Sequence, residues 1–233
     1  MKKILLFISL SLFLASCTNK KSQKADSIAV DSVRSESVQT DTTTGFLNLF
    51  KNIDPQNLQV YPPSWDKNGK LIKSPFEGVI IDVNKYPYTD NSSIFLNIKA
   101  CKKGSSHIYA VGKFEINTNY TGLIIRQMSQ YKESLIQMVL WDKHQHKILD
   151  GLYLADSFGD EGWSFDRESW FTKSKKSPNF RIVTRQKERN PTIDYTDYTY
   201  TDTLRMYELN GKVFKMSQMN IKDTSIYQLK NWN

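Results

Sequence analysis

The sequence predicts a mainly β fold of antiparallel strands and hairpins, with one short N-terminal helix. Three observations carry that expectation. From residue 76 onward, apolar residues alternate or fall in short runs, without helical spacing. Clusters of Gly, Asn, Asp and Ser separate the runs. All seven prolines fall outside the runs, as ladder hydrogen bonding requires.

The elements follow in order. Phe46, Leu49, Phe50 and Ile53 stand at helical spacing and Pro55 stops the run, which predicts a short helix over 46–53. Residues 79–83 read as the first strand. Ile94, Leu96, Ile98 and Ala100 alternate, so 94–101 reads as the next, turned by Lys103-Gly104-Ser105-Ser106. Segments 108–116, 123–126, 135–141, 148–155, 163–171, 180–185, 195–209 and 212–216 complete the set. Asn210-Gly211 is the strongest hairpin signal, because a type I′ turn needs positive φ at both central positions. Sandwich, barrel and partial propeller all fit this pattern. A full propeller, at about 40–50 residues per blade, does not fit the chain left after residue 45.

The first 45 residues read differently. Lys2 and Lys3 precede an apolar run over 4–14, broken only by Ser9 and Ser11. That run is too short to span a bilayer, so residues 1–16 read as a signal peptide. Residues 17–45 are polar. Lys20, Lys21, Lys24 and Arg34 balance Asp26, Asp31, Glu36 and Asp41, and no aromatic residue occurs there. Such a segment cannot bury enough apolar surface to offset chain entropy, so it reads as a disordered tether, spanning about 30 Å as a coil. Residues 46–233 read as a single β-rich domain. The formal net charge is +8. Lys2 and Lys3 leave with the leader and the tether cancels, so the remaining surplus sits on the domain.

The segment Leu14-Ala15-Ser16-Cys17 resembles the lipobox of bacterial lipoproteins. The resemblance implies a diacylglyceryl group on the Cys17 sulfur, cleavage before Cys17, and acylation of the new amine. Thr18 stands where Asp often marks inner-membrane retention, and Thr18-Asn19-Lys20-Lys21 lacks an acidic surface-export cluster. By that resemblance the address is the outer membrane of a Gram-negative bacterium, facing the periplasm, with the membrane as one partner. More than one acyl chain makes such an anchor durable. An envelope address argues against a nucleic-acid partner. The surplus charge suits anionic lipid or polysaccharide instead. Two cysteines exclude a disulfide scaffold, and Cys101 reads as an apolar filler on a strand.

The stretch 154–171 carries the candidate chemistry. Asp156, Asp160, Glu161, Asp166 and Glu168 crowd into it with Trp163 and Trp170. Asp156, Asp160, Glu161, Trp163 and Trp170 are the candidate binding residues. Lys173, Lys175, Lys176, Arg181 and Arg185 form a candidate basic patch. Trp141, Trp163 and Trp170 are candidates for a sugar- or peptide-binding face, with core packing as the plain alternative. The order Gly159-Asp160-Glu161-Gly162, then Ser169-Trp170, then Arg181-Ile182-Val183-Thr184-Arg185 resembles envelope lipoproteins with a degenerate FG-GAP or VCBS-like repeat. The stretch 203–214, with Tyr207 and Asn210-Gly211, is similar to their closing hairpin. Where that family places a calcium loop, this chain has Thr172-Lys173-Ser174-Lys175-Lys176-Ser177. Calcium takes six to eight oxygen ligands, and three lysines repel it, so neither a metal nor a cofactor is expected. His144 and His146 read as part of a polar loop. The sequence holds no Ser-His-Asp motif, phosphate loop or cysteine cluster. The expectation is a non-enzymatic, lipid-anchored envelope protein that binds a protein or glycan. The alternatives are a glycan hydrolase using carboxylates in 156–168, and an immunity or inhibitor lipoprotein with a basic face.

Overall fold

A computed structural model describes residues 42–72, 74–86, 96–160, 162–173, 180–192 and 197–217. The expected leader, Cys17 and the tether up to residue 41 lie outside the described residues. Among the described residues eleven strands form one open, largely antiparallel sheet. They are β1 (Lys51–Asn52), β2 (Gln59–Val60), β3 (Val79–Ile80), β4 (Ile108–Glu115), β5 (Tyr120–Gln127), β6 (Leu135–Asp142), β7 (Lys147–Asp160), β8 (Trp163–Lys173), β9 (Phe180–Pro191), β10 (Tyr198–Asn210) and β11 (Val213–Ser217). From β4 to β11 each strand pairs with the next. β1, parallel, and β3, antiparallel, share the outer edge of β4, and β2 pairs with β8. The mainly β, antiparallel fold predicted from the sequence is the one observed, and the sheet stays open.

β7 divides the meander. Its first part pairs with β6 as far as Ala155, and its last part, from Asp156, pairs with β8. Two register shifts interrupt the β6–β7 ladder, one between Ile136 and Gln137 and one between Leu140 and Trp141. Such irregularities bend a strand and re-aim its side chains. The two parts of the sheet meet across a shared core of Phe114, Ile124, Met138, Leu154, Phe171 and Ile182, among others. The far end of the meander also returns to β7, where the Phe214 N–H donates to the Asp150 carboxylate at 2.6 Å.

A second core covers the opposite face of β4–β6. There Trp141, fully buried, packs on Phe46 at 5.4 Å between ring centroids. Ile81, Leu96, Ile98, Leu123, Ile125 and Val139 join them. With both faces covered, β6 is buried at all eight positions. That is why its sequence is a run of apolar residues without clean alternation.

Three local expectations are corrected. The N-terminal helix, α1, covers residues 42–47, and residues 51–52 of the expected helix are strand β1. The Lys113 Nζ donates to the Leu47 carbonyl at 2.8 Å and so caps the end of that helix, where a cation also suits the helix dipole. Phe46 and Phe50 enter one core while Ile53 packs against the other, so their spacing served two elements. The expected strand 94–101 is not one: Ile98–Lys102 is a single helical turn, α2. The Gly104 N–H bonds to the Cys101 carbonyl and the Ser105 N–H to the Ala100 carbonyl, with Gly104 at φ +71. Those two bonds make a Schellman cap, so the expected hairpin turn is a helix stop. The final hairpin is shifted by one residue. Asn210 pairs with Val213, leaving Gly211 and Lys212 as the central pair. Only Gly211 of the two has positive φ, at +66, which matches a II′ turn rather than I′.

Candidate functional site

Past Asp156, β7 leaves β6 and keeps only β8 as a strand partner. Beside this one-sided stretch lies an open groove of about 560 Å³. Three segments distant in sequence wall it: Pro63 and Trp65, Tyr131 and Lys132, and the end of β7 with Phe158 and Asp160.

Each wall is locally fixed. Trp65 bridges to Leu71, and the Ile72 N–H bonds to the Ser64 carbonyl at 2.8 Å. The Asp66 carboxylate accepts the N–H groups of Asn68 and Lys70, both at 2.9 Å, with Gly69 at φ +75 closing the turn. The Lys132 ammonium sits 5.2 Å from the Trp65 ring centroid, across the groove. Phe158 is backed by Phe165, stacked at 4.7 Å, and by Trp163 at 5.0 Å. The loop carrying Tyr131 and Lys132 is tied at both ends to Asp156. That buried carboxylate accepts from the Ser129 hydroxyl at 2.6 Å and the Ser134 hydroxyl at 2.8 Å.

A second anchor holds the same loop. Arg126 is only 3% exposed. Its guanidinium donates to the Phe76 carbonyl at 3.1 Å, the Glu77 carbonyl at 2.9 Å and the Glu133 carbonyl at 3.0 Å. It also stacks on the Tyr109 ring at 3.7 Å. The Glu133 carboxylate lies 3.6 Å from it and accepts from the Tyr109 hydroxyl at 2.5 Å and the His107 backbone N–H at 3.0 Å. Partial burial alone would raise the Glu133 pKa. The hydrogen bonds from Tyr109 and His107 and the Arg126 charge outweigh it and hold the carboxyl below its ordinary range. The same burial, with the Glu133 contact, pushes the Tyr109 hydroxyl up. Burial likewise raises the Cys101 thiol, which touches Ser106 at 3.6 Å, so the nucleophilic thiolate is disfavoured there.

The residues singled out in the sequence scatter around this groove. Asp160 lines it, Trp163 packs beside Phe158 on the neighbouring strand, and Asp156 fastens its loop. Glu161 lies outside the described residues. Trp170 is 6% exposed and Trp141 is fully buried. Trp163 and Trp170 differ by seven positions on one strand and so project from opposite faces of β8. In the expected basic patch, Arg185 holds the Asp202 carboxylate through two bonds from Nε, at 2.7 and 3.0 Å. Arg181 pairs with Glu208. The side chain of Lys173, and residues Lys175 and Lys176, lie outside what is described. The register sets Asp166, Lys187 and Asp202 in one row across three strands, so the described charges on that face alternate in sign. Glu168 lies in that face beside Asp166, in a cleft of about 240 Å³. Burial raises its carboxyl pKa despite the charges of Lys187 and Arg185. His144 sits in a turn, its N–H bonded to Asp142, and His146 takes φ +50. Among the described residues no group of three or more His, Cys, Asp or Glu could hold a metal ion.

Sequence reasoning missed Trp65, Tyr131, Lys132 and Arg126. The Asn68-Gly69 pair carries the same turn signal as Asn210-Gly211, and it points to the small hairpin that presents Trp65. Nothing in the sequence pairs that hairpin with residues 131 and 158. Comparison with known proteins returned no match to a family model, to a curated protein or to a solved structure.

Proposed function

We propose that this protein is a lipid-anchored, non-enzymatic binding module of the bacterial cell envelope, and that its ligand is a glycan seated in the groove of Trp65, Tyr131 and Phe158. The groove is the observation that carries this reading. It is open, is walled by three chain segments, and mixes aromatic rings with a few polar groups. Sugar rings present C–H-rich faces that pack on aromatic faces, while their hydroxyls accept from the Lys132 ammonium, donate to the Asp160 carboxylate and exchange bonds with the Ser64 hydroxyl. Among the described residues Asp160 is the one carboxylate that lines the groove, and nearby Asp156 is bonded to two serine hydroxyls. Glycoside hydrolysis needs two carboxyls, about 5–10 Å apart across the sugar. Anchoring through Cys17 and a polar tether supports presenting such a groove in the periplasm. The test is tryptophan fluorescence of the full chain titrated with soluble peptidoglycan glycan strands, alongside Trp65→Ala and Phe158→Ala. Unchanged affinity in both variants refutes the groove. Loss of lipid labelling in Cys17→Ala checks the anchor.

One observation favours a second reading. Burial raises the Glu168 carboxyl pKa, the direction a general acid needs, and Glu168 shares its strand face with Asp166. A hydrolase working there loses turnover in Glu168→Gln and Asp166→Asn. Absence of turnover in the unmodified protein on cell-wall glycans removes that reading.

A further inference from the structure

Strands β8, β9 and β10 present one face toward the core that the two parts of the sheet share. Register places Phe171, Ile182 and Tyr207 across that face, then Ser169, Thr184 and Arg205, then Arg167 and Gln186. The first row is core. The second begins polar: Ser169 and Thr184 hydroxyls meet at 2.9 Å, and Ser169 donates to the Leu154 carbonyl. Beyond it the face becomes cationic.

Arg167 and Arg205 both donate to one oxygen, the side-chain carbonyl of Gln186, at 2.6 and 3.2 Å. The amide of Gln186 is oriented for this, because its NH₂ donates to Glu188. The Arg167 guanidinium lies 5.0 Å from the Phe165 ring centroid and 5.8 Å from that of Tyr153, within cation–π reach of both. Both arginines are half-buried. Neither has a carboxylate within ion-pair distance among the described residues, whereas Arg181 and Arg185 on the other face each do. Asp156, opposite Arg167 in register, is taken up by Ser129, Ser134 and the Ser157 N–H. Burial disfavours the charged form of Arg167 and the Arg205 charge adds to it, outweighing the favourable influence of Tyr207, Asp156 and Tyr153.

Two guanidiniums carry ten N–H donors, and one neutral oxygen satisfies two of them. Two half-buried guanidiniums that touch no carboxylate and share one neutral acceptor keep donors to spare, and planar forks of this kind match oxyanions in bidentate fashion. We infer that Arg167 and Arg205 form a binding site for an oxyanion, the carboxylate or phosphate group of a ligand, on the inner face of β8–β10. Gln186 joins the pair through one shared acceptor, and Phe165 and Tyr153 flank Arg167. Neither arginine lines the groove, so the site stands apart from the glycan reading.

The experiment is thermal unfolding and calorimetric titration of the full chain in detergent, with inorganic phosphate and with malonate, chloride holding ionic strength constant. The unmodified protein is expected to bind at least one anion saturably and to melt higher with it. Phosphate alone assigns a phosphate ligand, malonate alone a carboxylate, and both together the shared oxyanion chemistry. Arg205→Gln is expected to weaken binding at least about tenfold. Without added anion it is expected to melt at or above the unmodified protein, because it removes the repulsion. Arg205→Lys keeps the charge but loses the fork, and is expected to fold and bind more weakly. Absence of saturable binding by either anion overturns the site. So does equal binding by Arg205→Gln, or a fall in its anion-free melting temperature, which marks a purely structural arginine.

Discussion

Replacing Arg126 with Met removes one side chain that fastens two loops. The guanidinium is 3% exposed and donates to the carbonyls of Phe76, Glu77 and Glu133 at 2.9–3.1 Å. Methionine roughly fills the volume but leaves three acceptors without their donor. It also leaves the Glu133 carboxylate, now 3.6 Å from the guanidinium, without its cation. A buried acceptor that loses its partner costs about 1–3 kcal/mol, and breaking a buried ion pair about 3–5. Glu133 is 24% exposed and water reaches part of this site, so the terms do not add in full. The expected loss is about 4 kcal/mol, a large fraction of the roughly 5–15 kcal/mol that holds a typical domain folded. Urea unfolding of the full chain measures it as a lower midpoint with unchanged slope. Glu133→Gln alone and together with Arg126→Met completes a double-mutant cycle, with coupling expected above about 0.5 kcal/mol. Because the Glu133 carbonyl ends the loop bearing Tyr131 and Lys132, Arg126→Met is also expected to weaken ligand binding in the groove. A loss under about 1 kcal/mol with no coupling refutes the reasoning.

Two further outcomes follow from local geometry. A Cβ on Gly122 stands 2.6 Å from the Phe114 ring, which is buried and packed edge-on against Phe171 at 5.6 Å, so the ring cannot retreat. Gly122→Ala is expected to destabilise by about 1–3 kcal/mol in the same urea assay. The second outcome is acid sensitivity. The Glu133 pKa is depressed in the folded state. Its contribution to stability is therefore full above the ordinary carboxylate range and lost as pH falls through the folded value. A stability–pH curve is expected to show a shallower acid limb in Glu133→Gln and, more weakly, in Tyr109→Phe.

The meander was legible because period-two patterning survives wherever a strand has one wet face, as in β8 to β10. It was also legible in β5 and β6, where Leu123-Ile124-Ile125 and Met138-Val139-Leu140-Trp141 are apolar runs too short for helices. α1 was placed too late because Thr42, Thr43 and Thr44 are weak helix formers. Packing of Phe46 on Trp141 outweighs that propensity. α2 was read as a strand because five residues are too few to separate period 2 from period 3.6. The Schellman cap at Gly104 distinguishes them, and it shows only in the hydrogen bonds. The carboxylates of 156–168 drew notice by crowding, yet register sends them to different sites: Asp156 to a loop tie, Asp160 to the groove, Asp166 and Glu168 to the outer face. The groove itself joins residues 63–65, 131–132 and 157–160. Only the tertiary fold brings those together. Arg126 was hidden for a related reason: a single charge inside an apolar run gains meaning only from the carbonyls that surround it.

The groove reading is tested most directly by fluorescence titration of the full chain with soluble peptidoglycan glycan strands, run in parallel on Trp65→Ala. The unmodified protein is expected to show a saturable change that Trp65→Ala lacks, with the fold of the variant intact by far-UV circular dichroism. Equal affinity in the two proteins, or no saturable change in the unmodified protein, contradicts a glycan seated against Trp65.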